Sequence, residues 1–443
     1  MARRRTTARS LALGVLRHVE QRQGFSNRIL AQQLERHPEL DKRDRGFSTA
    51  LVYGTLRHRR RLDAILDEVT HQPERLRGVP REIARIAAFE LRELGHPAHV
   101  VSAEVGSLAR MYDPARSLAS FLHAIVMAVD REGAAIDDAH AVAAPLDALE
   151  LRWSIPRWLA GRWIATLGPQ TAVVRAEALA RAPALELRVD VSRTTAMSVR
   201  ERLLHDHPDA RVELCPDQPQ ALRLVSGGDV FYGPLHEAGL VSVQGLGSQQ
   251  AAIALAPEPG ERVLDACAGL GVKTLQLAEL MQRHGTIVAV DRSHERLEQL
   301  ELVRERGSLE HHELTLRTVV GDVLERDLLA DQADFDAVLL DAPCTGLGNL
   351  ARHPELRWSA RFEHIRERAA LQTILLASLL PRVAKAGRLV YAVCSLEPEE
   401  GPAVVRNVAL EHGFEITLER AWTPEQHGSD GFYLARLEHP RRV

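Results

Sequence analysis

Four cysteines, Cys215, Cys267, Cys344 and Cys394, are the soft nucleophiles of this 443-residue chain. Their spacings of 52, 77 and 50 residues exclude a CxxC redox or zinc motif and a disulfide-dense scaffold, so no metal is expected. A scattered thiol is by default a small buried hydrophobe. Two of these four stand beside other reactive groups. Cys344 closes Asp341-Ala342-Pro343-Cys344, a carboxylate and a thiol three residues apart on a proline-stiffened stretch. Cys394 ends the apolar run GRLVYAV and is followed by SLEPEE. A thiol attacks as its thiolate, and with a pKa of about 8.5 only a few per cent is ionised at neutral pH. Full ionisation is worth at most about 2 kcal/mol. Orientation must supply most of any acceleration.

A further segment, DACAGLGVKT (265–274), can hold a ligand. Gly269 and Gly271 permit a tight turn and close backbone approach, and the helix that follows favours an anion at its N-terminus. Asp291, 20 residues after Gly271, can accept two hydrogen bonds from ribose hydroxyls. The dinucleotide fingerprint GxGxxG fails, because its third glycine falls on Thr274. S-adenosylmethionine, with a carboxylate and a ribose in place of a pyrophosphate, fits better. A plain structural βα turn is the bland alternative.

These residues lie at the ends of strands. RVLDAC (262–267), TIVAVD (286–291), TLRTVVGD (315–322), FDAVLLD (335–341) and GRLVYAV (387–393) alternate with helical patterns at 272–283, 293–306, 361–383 and 399–412. Near-continuous apolar strands belong to a sheet covered on both faces. The domain is a doubly wound α/β sheet, and ligands bind such sheets beyond the carboxyl ends of the strands. Cys344 and Cys394 then stand on neighbouring loops and can face one substrate.

Ahead of this domain, residues 1–133 read as helices, with Pro80, Pro97 and Pro114 as punctuation. Residues 134–150 read as a linker. Residues 151–182 look helical, and 183–235 form a small α+β module of three short strands and a helix near 195–206. Composition is that of a soluble globular protein, 45% apolar and 26% charged with net charge −4. Residues 1–61 carry 15 basic and 5 acidic residues. That block suits a polyanionic partner or, equally, a solvated helical face. No run approaches the length of a membrane span. MARRRTTARSLALGVL lacks a small-residue cleavage site; an organellar transit peptide is the lesser alternative to a cytoplasmic location.

The set DACAGLGVK, VAVD, GD, DAPCTGLG and YAVCSLEPEE closely resembles the RNA (cytosine-5) methyltransferases. Within them it is most similar to bacterial small-subunit ribosomal RNA enzymes of the RsmB, Sun or Fmu type. RDRGFSTALVYGTLRHRRRLD (43–63) resembles the NusB-like domain fused in front of those enzymes. IPRWLAGRW (155–163), LRVDVSRTT (187–195), RHPELRW (352–358) and DGFYLARL (430–437) match as well.

The resemblance implies a multidomain chain: an all-α NusB-like RNA-binding bundle (1–133), a linker (134–150), a helical plus small α+β, RRM-like module (151–235), and a class I, Rossmann-like methyltransferase domain (236–443). It implies 5-methylcytosine formation in 16S rRNA with S-adenosylmethionine as methyl donor, in a monomer. Cys394 would be the nucleophile at carbon 6 of cytosine, Cys344 would assist product release, and Asp341 would hydrogen-bond the base near the donor. Cys267, Ala268, Gly269, Leu270, Gly271, Val272 and Lys273 would line the donor. Asp291 would hold its ribose, Asp322 would reach its adenine, and Arg352 and His353 would contact RNA phosphate or, alternatively, merely stabilise their loop. Cys215 has no motif.

The chain departs from the family pattern where Leu270 replaces a proline and Val272 a glycine. Gly245 stands where an acid is usual, and Met127 where an arginine is. A left-handed Val272 would be strained, so Val272 is expected at negative φ, inside the helix. The competing function is a non-catalytic RNA-binding or assembly protein with a decayed donor pocket. Both cysteines, Asp291, Asp322 and Lys273 speak against decay.

Overall fold

A computed structural model describes residues 6–440 apart from 23, 114–116, 228–232, 308, 310–312, 326 and 331. Pro114, read above as punctuation, lies outside the described residues. The chain divides into two compact units, Met1–Ala182 with Leu350–Ala360, and Pro183–Asn349 with Arg361–Val443.

The first unit is helical. Its core is built by apolar residues three and four apart, among them Leu13, Leu51, Leu62, Ile65, Ile83 and Ile86, each fully buried. The stretch 134–150, expected as a linker, is helical instead. The helix Ser117–Ala141 runs on into it, followed by Pro145–Asp147 and a π-helical turn, Ala148–Arg152. The reason is ionic. Asp137 is buried and accepts two hydrogen bonds of 2.6 Å from the Arg61 guanidinium. A buried carboxylate is tolerated only when paired in this way, and hydrophobic periodicity cannot register it. Residues 151–182, grouped above with the α+β module, lie in this helical unit as the helices Arg157–Leu167 and Pro169–Ala180.

Leu350–Ala360 comes from the far half of the sequence and is held by polar groups. Arg357, 1% exposed, donates to the carbonyls of Leu179 (2.8 Å), Arg57 (3.0 Å) and Trp153 (3.1 Å). Arg57 ends one helix and Leu179 stands in the last turn of another. Helix C-termini leave carbonyls without intrahelical donors, and one planar guanidinium fork serves several of them. The Trp358 indole donates to Leu56 O at 3.1 Å, and Glu355 accepts from the Ser26 amide and hydroxyl at 3.1 and 2.8 Å.

The second unit holds two sheets. Strands β1 (Leu185–Val189), β2 (Arg211–Leu214), β3 (Ala221–Ser226) and β4 (Val241–Val243) form an antiparallel sheet in the order β2-β3-β1-β4. The three-residue β4 is too short to show a period and was not expected. The larger sheet comprises β5 (Arg262–Asp265), β6 (Gly285–Asp291), β7 (Leu314–Val320), β8 (Phe335–Asp341), β9 (Val383–Val393), β10 (Glu415–Trp422) and β11 (Phe432–Glu438), in the order β10-β11-β9-β8-β5-β6-β7. β5 to β9 run parallel, while β10 and β11 add an antiparallel edge. β10 and β11 were also not expected. EITLERAW exposes a row of charges, as an edge strand does to discourage further pairing. In β5, β6 and β8 the central side chains are buried, which is why these segments read as unbroken apolar runs. β5 has β6 on one side and β8 on the other. The chain winds outward from β5 through β6 to β7 and then crosses back to β8 on the other side, a reversal that opens a crevice at the carboxyl end of β5.

Candidate active site

The turn after β5 is shaped by two left-handed glycines, Gly269 (φ 57°) and Gly271 (φ 81°). Gly271 caps the helix Val272–Leu280. A Cβ there would stand 2.6 Å from Leu300 Cγ, so only glycine fits. Val272 is already the first residue of that helix and has no positive φ, as expected. The turn is tied to β6 through Asp291, whose carboxylate accepts from the Gly269 amide and the Ser293 amide, both at 2.9 Å.

A cleft of about 450 Å³ opens at the carboxyl ends of β5, β6, β7 and β8. Cys267, Gly269, Asp291, Asp322, Asp341, Cys344 and Cys394 all line it. Of the other residues singled out above, Ala268 is buried in the turn, Leu270 is half-exposed, and Gly271, Val272 and Lys273 stand behind the lining. Lys273 reaches it indirectly, through a 2.6 Å ion pair with Asp341. Burial alone would lower the Lys273 pKa, but the Asp341 carboxylate outweighs it and holds the ammonium above its ordinary value. Arg352 and His353 lie in Leu350–Ala360 of the helical unit, where the His353 ring packs edge-on against Phe25 at 5.7 Å. Cys215 is half-buried, and desolvation raises its pKa.

The two thiols named as reactive meet. Cys344 Sγ and Cys394 Sγ are 3.3 Å apart, although 50 residues separate them in sequence. The β8 and β9 loops that carry them are bonded together. The Ala342 amide donates to Ala392 O at 2.9 Å, and the Gly348 amide to Cys394 O at 3.0 Å. Gly348 has no room for a side chain, since a Cβ would fall 2.0 Å from Gly431 O. The hydrogen bond with Cys394, together with burial, raises the Cys344 pKa well above that of a free thiol. Cys344 therefore holds its proton firmly. Burial also pushes the Cys267 thiol up, so Cys267 is an inert wall. Beneath the cleft, burial raises the Asp265 carboxyl to about 7, although the Thr274 hydroxyl donates to it at 2.7 Å.

Several residues of the site carried no sequence signal. Arg368, Leu371 and Leu375 line the cleft from one face of the helix Phe362–Leu379, at three- and four-residue spacing. Arg296 lines it beside Asp291, 3.7 Å from its carboxylate. Gln372 donates to Pro343 O at 3.0 Å, and Glu400 joins the two cysteine loops. A larger cavity of about 650 Å³ lies between β1 and the helix Val272–Leu280. Two of its arginines pair with carboxylates, Arg188 with Glu279 and Arg283 with Asp190, and Arg193 donates to Ala238 O at 3.0 Å. Ser192 also lines it; its hydroxyl donates to Asp190 at 2.5 Å and accepts from Arg283 at 2.6 Å. Among the described residues no cluster could hold a metal ion, and no helix is long and apolar enough to cross a membrane.

The description 16S rRNA methyltransferase RsmB/F matches residues 252–438, and that of the NusB family matches residues 6–131. The chain is 30% identical over 445 residues to the ribosomal RNA small subunit methyltransferase B of Pseudomonas syringae pv. tomato, covering 93% of this chain and 92% of that protein. It is 29% identical over 458 residues to the probable ribosomal RNA small subunit methyltransferase B of Synechocystis sp., covering 98% and 99%. The fold is shared with the crystal structure of PH0851, at TM-score 0.78 and 24% identity over 97% of this chain and 98% of that one. A methyltransferase homolog protein from Pyrococcus horikoshii aligns at TM-score 0.58 and 26% identity, over 68% of this chain and all of that one.

Proposed function

The chain belongs to the RsmB/F family of 16S rRNA methyltransferases, and from that premise we propose that it forms 5-methylcytosine in small-subunit ribosomal RNA through a covalent adduct on Cys394. We place it in the cytoplasm, acting as a monomer. The observation that carries the chemistry is the pair of thiols 3.3 Å apart in a cleft lined by carboxylates.

S-adenosylmethionine is the cofactor, and it supplies an electrophilic methyl group. The cleft suits it. Asp291 accepts one amide on each oxygen, and each oxygen keeps a lone pair for a ribose hydroxyl. Asp322 offers an acceptor to the adenine amino group, and the glycine turn lets the backbone come close.

Carbon 5 of cytosine is too weak a nucleophile to take a methyl group unaided. Addition of the Cys394 thiolate to carbon 6 makes the ring an enamine and activates carbon 5. Asp341, fixed by Lys273, hydrogen-bonds the base. After methylation the carbon 5–hydrogen bond must break. Its electron pair re-forms the ring double bond, the carbon 6–sulfur bond breaks, and that pair returns to Cys394 as thiolate. The proton goes to Cys344. The raised Cys344 pKa suits this sequence. Before attack Cys344 keeps its own proton and lies within hydrogen-bond distance of the Cys394 sulfur. Once Cys394 is bonded to carbon 6, the main cause of that elevation is gone; Cys344 then releases its own proton to solvent and, as thiolate, becomes the base. Arg352 and His353 contact RNA phosphate in this scheme.

The test is methyl transfer to an unmodified 16S rRNA transcript. Cys394→Ala loses methylation. Cys344→Ala accumulates a covalent protein–RNA adduct that survives denaturing electrophoresis. Full activity of Cys394→Ala would sink the mechanism.

A further inference from the structure

Glu400 is fully buried, 0% exposed, and lies on neither the cleft wall nor the donor turn. Its carboxylate accepts four hydrogen bonds. Oε1 takes the Thr345 amide at 2.8 Å and Gln372 Nε2 at 3.3 Å. Oε2 takes the Thr345 hydroxyl at 2.5 Å and the Ser395 hydroxyl at 2.6 Å. Thr345 directly follows Cys344, and Ser395 directly follows Cys394. Gln372, also fully buried, donates in addition to Pro343 O at 3.0 Å, on the other side of Cys344. The Glu400 carbonyl is itself held by the Tyr391 hydroxyl at 2.5 Å, and Tyr391 belongs to β9. One carboxylate thus clamps the residue after each thiol and is anchored to the strand beneath.

All four donors are neutral. Burying a charge among neutral partners is costly unless its hydrogen bonds are complete. A side chain needed only to fill space here would be apolar, and Glu400 is not.

We propose that Glu400 is the positioning residue that sets the separation of the Cys344 and Cys394 thiols and thereby controls release of methylated RNA from the adduct. The inference rests on the two-cysteine mechanism above. Release passes a proton from carbon 5 to Cys344 while the adjacent carbon 6 is bonded to Cys394. The distance between the thiols therefore fixes the distance over which that proton moves. A misplacement of about 1 Å can cost on the order of 100-fold in such a step. Attack by Cys394 and binding of the donor make no such demand on Cys344.

The geometry separates hydrogen bonding from charge. In Glu400→Gln, the amide oxygen at the Oε1 position keeps the Thr345 amide and Gln372. The amide nitrogen at the Oε2 position can donate to the two hydroxyls, which rotate to accept. In Glu400→Ala all four bonds are lost. In the full-length protein with a 16S rRNA transcript, Glu400→Ala should slow adduct resolution by at least about tenfold. Adduct should accumulate and kcat should fall. KM for RNA should fall together with kcat, leaving kcat/KM and the Kd for S-adenosylmethionine within about twofold, the split expected when only a step after adduct formation is slowed. Glu400→Gln should recover most of the rate. Should Glu400→Ala fail to fold, Thr345→Val, which removes one clamped hydroxyl, should show a smaller loss of the same kind. Wild-type release in Glu400→Ala or, failing that, in Thr345→Val would overturn the proposal, as would equal damage from Gln and Ala.

A second measurement needs no RNA. A bifunctional bimane reagent, with mass spectrometry of the bridged peptide, reports how readily Cys344 and Cys394 are cross-linked. Bridging should be slower in Glu400→Ala than in wild type and Glu400→Gln, and an unchanged rate would overturn the clamp. If wild-type protein neither methylates RNA nor forms an adduct, the catalytic reading fails, and the cross-linking rate alone decides whether Glu400 positions the thiols.

Discussion

Replacing Asp265 by asparagine should make the second unit less sensitive to alkaline pH. Asp265 ends β5, is 0% exposed, and has one carboxyl oxygen without a hydrogen-bond partner. Burial raises its folded-state pKa to about 7 from the ordinary 3.8. The folded state therefore holds more protons than the unfolded state between those values, and stability falls as pH rises through that window. The full gap is worth about 4 kcal/mol, at about 1.4 kcal/mol per pH unit. Asparagine is uncharged in both states, so its contribution does not vary. Between pH 5 and pH 8.5 the wild type should lose about 3 kcal/mol relative to Asp265→Asn, part of the cost being already present at pH 5. Urea denaturation of both proteins at the two pH values, followed by circular dichroism, measures the difference. Asparagine also introduces an amide that finds no evident partner, so the variant can be weaker at acid pH. That offset is the same at both values and cancels. A stability difference that is flat with pH, or that moves against asparagine on going alkaline, would refute the reasoning.

Gly271→Ala should destabilise the second unit by about 2–5 kcal/mol, combining the left-handed penalty with overpacking against Leu300. Gly269→Ala, with a left-handed φ but nothing within 4 Å of the added carbon, should cost only about 1–2 kcal/mol; urea midpoints of the two variants separate the effects. Arg357→Met should lower the stability of the helical unit by about 3 kcal/mol. The carbonyls of Leu179, Arg57 and Trp153 lose their donor, and relief from burying a charge offsets part of that loss. The drop should appear as a lower thermal midpoint.

The parts of the fold that were legible in the sequence are those written in apolar side chains. β5, β6, β8 and β9 are buried on both faces and read as unbroken runs, and the helical front carries a clear three-to-four period. What was missed is held by polar groups or lies at an edge. The 134–141 stretch extends a helix through Asp137 and its arginines. β4 is three residues long, and β10 faces outward with charges. The candidate site divides in the same way. Asp291, Asp341, Cys344 and Cys394 stand immediately at or after strand ends, and strand order alone brings their loops together. Glu400 stands in SLEPEE beside two other acids, Glu397 being buried as well, and no spacing rule distinguishes which of the three bonds both cysteine loops. Arg368 and Gln372 lie on a helix whose cleft-facing side mixes polar and apolar residues. Arg352 and His353 were read as RNA-phosphate contacts or as stabilisers of their loop; their neighbour Arg357 proves to be a buried strut.

The placement of Leu350–Ala360 has a consequence for synthesis. A ribosome delivers the helical unit's first 182 residues long before this strut exists. Until residue 360 has emerged, the carbonyls of Leu179, Arg57 and Trp153 and the hydroxyl of Ser26 lack the partners they have in the finished protein. The front of the chain must therefore wait, incompletely closed, while most of the catalytic sheet is being made. A fragment ending at residue 182 should behave as an open, protease-sensitive version of the same helices, and supplying a 350–360 peptide should close it.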